Sequence, residues 1–127
     1  MDTFARHLLV ELHGCNRALL NDRESMAHLL RRAALAAGAR PVAEVFHPYA
    51  PQGVTGVLII EESHLSVHTW PEYGYAALDF YTCGDCEPER AAREMAAALG
   101  ADRVELVLVH RGVRDSTSSI HVADVER

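Results

Sequence analysis

Three cysteines, Cys15, Cys83 and Cys86, are all that the 127-residue chain carries. An odd and small number excludes a disulfide framework and points to thiols in a reducing compartment. Basic residues are also in deficit: 12 Lys and Arg against 18 Asp and Glu give a formal charge of −6. That balance disfavours a general nucleic-acid binder and favours encounter with a cationic partner. No apolar run approaches the roughly 18 residues of a membrane span. The N-terminus, where His7 and Glu11 flank the short run Leu8–Val10, lacks a basic region followed by a signal-peptide core. A cytoplasmic protein with no membrane partner is expected. The Gly53–Gly56 segment is too short and irregular for a phosphate loop. No metal is expected either, because His47, His64, His68, Cys83 and Cys86 fit no ligand spacing and the Cys83–Cys86 CxxC has no second copy.

What is present fits one domain with a modest core, since 49% of the residues are hydrophobic in a short chain. Arg6 to His13 reads as a strand stopped by Gly14, Cys15 and Asn16. Met26, Leu29, Leu30, Ala33 and Ala37 recur at helical spacing, with Asn21 or Asp22 as cap and Gly38 as stop. Val42 to His47 is extended, leading to Pro48 and Pro51, which preclude helix. Val54 to Glu61, His64 to Trp70 and Tyr75 to Cys83 read as three further strands. Pro88 opens a second helix with an Ala92, Met95, Ala96 and Leu99 stripe, and Val104 to Val109 is a last strand. The predicted fold class is α+β: a two-layer α/β sandwich of order βαβββαβ, an antiparallel sheet with two helices on one face. Residues 1–112 form the domain, and 113–127 read as a flexible tail.

Alternation divides the strands by face. Leu65 and Val67 oppose His64, Ser66, His68 and Trp70, while Ala76, Leu78 and Phe80 oppose Tyr75, Asp79, Tyr81 and Cys83. The apolar faces can take the helices. The opposite face would gather His68, Tyr81 and Cys83 on a surface free for a site or a subunit contact, and its Trp70 and tyrosines point to a dimer. Taken singly, these residues have simpler readings. Ser63 and His64 fit a hairpin turn, His68 a surface histidine, Glu72 a solvated turn residue, and Cys83 with Cys86 a buried thiol and its neighbour.

Together they resemble the prokaryotic S-adenosylmethionine decarboxylases, small pyruvoyl enzymes of spermidine biosynthesis. The resemblance runs from about residue 4 to 112. It is carried by ESHLSVHTWPEYGYAALDFYTCG from Glu62 to Gly84, by Ala5-Arg6-His7, by HPYAPQGVTG from His47 to Gly56 and by the VHRG that ends at Gly112. It implies that Ser63 attacks the carbonyl of Glu62, that the chain cuts itself into a β chain, 1–62, and an α chain, 63–127, and that Ser63 becomes a pyruvoyl group, the Schiff-base cofactor. His68 would assist the proton transfers of processing, and Thr55, where the family commonly has serine, would support them. Cys83 would return a proton to the substrate α-carbon, Glu72 would bind the ribose hydroxyls, and Tyr49, commonly phenylalanine, would stack on adenine. The resemblance further implies a homodimer of processed protomers. Arginine and ornithine decarboxylases share the pyruvoyl machinery and stand as the alternative substrates. An unprocessed, non-catalytic binding module is the alternative of another class.

Overall fold

The computed structural model describes residues 3–61, 63–115 and 117–127. Glu62, one side of the expected cleavage, lies outside the described residues. Among the described residues, seven strands form one sheet: β1 (Ala5–His13), β2 (Pro41–Pro48), β3 (Val54–Ile60), β4 (Ser63–Trp70), β5 (Tyr75–Thr82), β6 (Arg103–Arg111) and β7 (Ile120–Glu126). Their order across the sheet is β2-β3-β4-β5-β1-β6-β7, and every neighbouring pair is antiparallel. A short helix α1 (Arg17–Leu20) precedes α2 (Arg23–Ala36), and α3 (Pro88–Leu99) joins β5 to β6.

Local chemistry sets the helix ends. The Asp22 carboxylate accepts the backbone N–H of Ser25 at 3.2 Å, satisfying one of the amides that the first turn of α2 leaves without a partner. Pro88 occupies the first turn of α3, where a missing N–H costs nothing, and Gly100 ends that helix in the left-handed region at φ 66°. The two helices pack on each other and on one face of the sheet. Between the layers lie Leu8, Leu12, Met26, Leu30, Leu58, Leu65, Phe80, Met95 and Leu99, all buried. The strand residues among them fall on one parity, as the alternation requires.

The two-layer α+β architecture stands, with two strands and the short helix α1 beyond the predicted order. Pro41–Pro48, read only as extended chain, is the edge strand β2; an edge tolerates the prolines that bracket it because one row of its backbone groups faces outward. Ile120–Glu126, read as part of a flexible tail, pairs with β6 as the opposite edge. Strand β5 also stops at Thr82, so Cys83 is not a strand residue.

The face that the helices leave open carries Leu9, Val57, Ile59 and Trp70, all exposed, among polar neighbours. No described helix is long and apolar enough to cross a membrane.

Candidate active site

Ser63 begins β4 and faces the end of β5. The backbone N–H of Cys83 donates to the Ser63 hydroxyl at 3.1 Å, which fixes that oxygen beside the residue following the last β5 pair. Cys83 also lines a cleft of about 540 Å³ with Gly38, Ala39, Arg40, Glu61 and Cys86. The cleft therefore forms where α2 runs out and β3 turns into β4. Arg6 fastens its floor by donating to the backbone carbonyls of Cys86 and Gly84, the latter at 3.4 Å.

The other expected residues assemble elsewhere. A second cleft, of about 350 Å³, is lined by Tyr49, Gln52, Thr55, His68, Thr69, Trp70 and Glu72. Thr55 and His68 are direct partners in the β3–β4 register, and their side chains meet at 3.1 Å between Oγ1 and Nδ1. Tyr49 sits on a loop closed by its own N–H donating to the Gly53 carbonyl at 2.8 Å, and Asn21 anchors that loop by accepting the Gly53 N–H at 2.9 Å. Gly53 adopts φ 105°, where a side chain would be strained. Glu72 lies on the 3-10 turn Pro71–Tyr73 that follows β4.

The two clefts belong to opposite ends of the same strands. Ile60 pairs with Ser63 at one end of the β3–β4 ladder and Thr55 pairs with His68 at the other. Ser63 and His68 are five positions apart along β4, or roughly 17 Å at about 3.4 Å per residue. Five is odd, so the two side chains also leave β4 on opposite faces. The expected gathering of His68 and Cys83 on one surface is therefore corrected: within the chain, Ser63 and Cys83 form one group, and Tyr49, Thr55, His68 and Glu72 form another. Alternation was carried one residue too far, because the turn at Gly84 takes Cys83 off the β5 pleat.

Between the groups, the open face holds a network that sequence reasoning did not assign. Asp79 accepts from His7 Nε2 at 2.5 Å, from His64 Nε2 at 3.1 Å and from the Ser66 hydroxyl. Arg111 donates to His7 Nδ1 at 3.2 Å, so the His7 proton sits on Nε2, toward Asp79. The His64 ring stacks on Tyr81 at 5.7 Å, and the Arg111 guanidinium lies 5.1 Å from the centre of the same ring. Asp79 and His64 could have been found from strand parity. His7 could not, because it reaches them only through the placement of β1 beside β5.

Burial raises the Asp79 pKa, but hydrogen bonds from His7, Ser66 and His64 outweigh it and hold the carboxyl well below its usual range. A depressed folded-state pKa contributes stability that is complete above the unfolded Asp value of about 3.9 and is lost as pH falls through the folded value. The wild-type melting temperature should accordingly drop below about pH 4, and the Asp79→Asn variant should be less stable at pH 7 with a shallower acid limb. Melting curves at pH 7 and below pH 4 check both; equal acid limbs would remove Asp79 from this role.

With the site in place, likeness to known proteins becomes informative. Residues 6–112 match the S-adenosylmethionine decarboxylase family. The chain belongs to that family. Relatives called S-adenosylmethionine decarboxylase proenzyme include one from Geobacillus sp. (strain WCH70), 49% identical over 114 residues, covering 90% of this chain and 92% of the relative. Another, from Thermotoga maritima, is 44% identical over 116 residues, covering 91% and 89%. In three dimensions the chain superposes on the crystal structure of the adenosylmethionine decarboxylase from Aquifex aeolicus VF5 with a TM-score of 0.78 and 31% identity, covering 93% of this chain and 98% of that one. Tyr49 and Thr55, the two positions at which the resemblance implied a change of residue, line one cleft of this member of the S-adenosylmethionine decarboxylase family.

Proposed function

We propose that this chain is a proenzyme that cleaves itself between Glu62 and Ser63, turns Ser63 into a pyruvoyl group, and works as a homodimer with sites built from both protomers. Its activity, in keeping with its family, is decarboxylation of S-adenosylmethionine. The observation that carries the reading is the Cys83 amide holding the Ser63 hydroxyl at 3.1 Å. It makes the residue that would bear the cofactor a neighbour of the residue that would supply a proton. Composition supports the same reading: all 12 basic residues are arginines, so these 127 residues offer no lysine amine to tether a carbonyl cofactor. A carbonyl made from the chain itself meets that lack.

Once formed at position 63, the pyruvoyl group supplies an electrophilic ketone for the substrate amine and an electron sink as carbon dioxide leaves. Around it the side chains divide the remaining work. Cys83 delivers a proton from Sγ to the substrate α-carbon. The Glu72 carboxylate accepts hydrogen bonds from the two ribose hydroxyls, and the Tyr49 ring offers its negative face to adenine and the neighbouring sulfonium. In the tautomer where His68 Nδ1–H donates to Thr55, the Nε2 lone pair is left to take the proton released in processing.

The separation of the two groups argues for the dimer. One chain cannot close a substrate-sized site over roughly 17 Å of strand. A two-fold pairing that brings the open faces together lets the Ser63 and Cys83 end of one protomer meet the partner's Tyr49, Thr55, His68 and Glu72. The exposed Leu9, Val57, Ile59 and Trp70 supply apolar contact, and the Asp79 network enters that contact with its charge already hydrogen-bonded.

Carbon dioxide release should occur with S-adenosylmethionine and not with arginine or ornithine, measured side by side on the processed protein. Exclusive release from an amino acid would overturn the substrate while leaving the cofactor standing. Glu72→Gln should raise KM for S-adenosylmethionine roughly tenfold with a smaller effect on kcat, as expected when a charge-assisted hydrogen bond of about 1.5 kcal/mol is lost from ground and transition states alike.

A further inference from the structure

Cys83 and Cys86 stand at the two ends of one turn. Gly84 and Asp85 are its central residues, and Gly84 adopts φ 66°. A four-residue turn holds its end Cα atoms less than about 7 Å apart, and a disulfide needs them at about 4.4–6.8 Å. Spacing and backbone conformation therefore agree on a bridgeable pair. Both residues are half-buried and both line the cleft of about 540 Å³ beside Ser63. The ends of the segment are tied down: Arg6 holds the Cys86 carbonyl, and the Glu87 N–H donates to the Ala37 carbonyl at 2.9 Å. The turn itself is open, with no atom of the described residues beyond its own chain neighbours within 4 Å of where a Gly84 Cβ would stand, so the loop has room to adjust as two sulfurs join. Cys15 does not compete. It is buried, it lies beside Gly74 at the other end of the sheet, and burial together with Asp102 pushes its thiol up to about 11.

We propose that Cys83 and Cys86 are a modification site, an oxidant-sensitive pair that forms a reversible disulfide and withdraws the proton donor from the active site. The proposal rests on the role given to Cys83 above. A peroxide oxidises the Cys83 thiol to a sulfenic acid and is itself reduced to water or an alcohol. The Cys86 sulfur then attacks the Cys83 sulfur; the S–S bond forms as the S–O bond breaks, and the oxygen leaves as water with the Cys86 proton. Two thiols lose two electrons and two protons, and the peroxide takes them up. A dithiol reductant reverses the change by thiol exchange. Burial raises the Cys86 thiol, which suits it to the second step more than to meeting the peroxide first.

The test uses the processed wild-type dimer treated with hydrogen peroxide, followed by dithiothreitol, with intact α-chain mass and carbon dioxide release measured at each stage. The α chain should lose the mass of two hydrogens, a peptide linking Cys83 to Cys86 should appear without reductant, and turnover should fall at least about 100-fold, the low end of what a positioned proton donor contributes. Dithiothreitol should restore both. The Cys86→Ser variant should turn over normally before treatment; with excess peroxide, and no second thiol to trap the sulfenic acid, it should gain two or three oxygens at Cys83, as sulfinic or sulfonic acid, and lose activity that dithiothreitol does not return. Absence of the two-hydrogen loss in wild type, or reversible inactivation of Cys86→Ser equal to wild type, overturns the proposal. The mass readout judges the disulfide without reference to turnover. A disulfide that forms while turnover persists overturns the control of activity and the donor role of Cys83 together.

Discussion

Ser63→Ala should remain a single chain of 14.0 kDa after prolonged incubation, whereas the wild type should resolve into two fragments that meet at Glu62 and Ser63. The second wild-type fragment should resist N-terminal sequencing, because a ketone replaces its amine. The argument is one of chemical necessity. Cleavage of a peptide through an ester requires an oxygen nucleophile on the residue that follows the broken bond, and alanine has none. Decarboxylation should fall to background with it, since no carbonyl is generated. Misfolding is not the cause to be expected. The substitution removes one acceptor, the hydroxyl that takes the Cys83 N–H at 3.1 Å, and the loss of one such bond costs about 1 kcal/mol. The circular dichroism spectrum should match the wild type, with a melting temperature lower by a few degrees, about what that cost implies in a domain of this size. Fragments from Ser63→Ala would end the self-processing reading, and a full-length wild type would end it equally.

The second large effect concerns the two groups of site residues. Cys83→Ala should process and then turn over at least about 100-fold slower, and Tyr49→Ala combined with Glu72→Ala should lose activity comparably at substrate levels below KM. Heterodimers of the two, isolated with different tags, should recover about half of the wild-type activity, because a two-fold dimer distributes the damage unevenly. One site then joins the altered Cys83 position of the first protomer to the altered Tyr49 and Glu72 positions of the second. The other joins an intact Cys83 to an intact Tyr49 and Glu72. If both groups served a site within one chain, each site of the heterodimer would carry damage and nothing would be recovered. Inactive heterodimers would therefore refute the shared site.

Much of the fold was legible because its causes are local. The Asp22 cap, Pro88 in a first turn and the parity of Leu65, Val67, Ala76, Leu78 and Phe80 each act within a few residues. Strand β7 was not legible. Ile120–Glu126 becomes a strand through the free edge of β6, and that edge depends on β1 having been placed beside β5. The residue types of the site were readable as a motif, but their distribution in space was not. His68 and Glu72 follow Ser63 closely in sequence, and closeness along a strand means distance in space. Cys83, 20 residues from Ser63, donates to its hydroxyl, because β4 and β5 fold back on each other. The His7 contact to Asp79 was hidden for the same reason as β7: it crosses a neighbour relation that chain order does not announce.

If the site is shared between two protomers, as proposed, the odd step of five positions from Ser63 to His68 has a kinetic consequence. A chain whose two half-sites point away from each other has no slow monomeric activity to fall back on, so specific activity should depend on protein concentration. At dilutions below the dimer dissociation constant, turnover per chain should fall in proportion to the dimer fraction while each chain stays folded. Abundance in the cell would then set not only how much enzyme is present but what share of it is switched on.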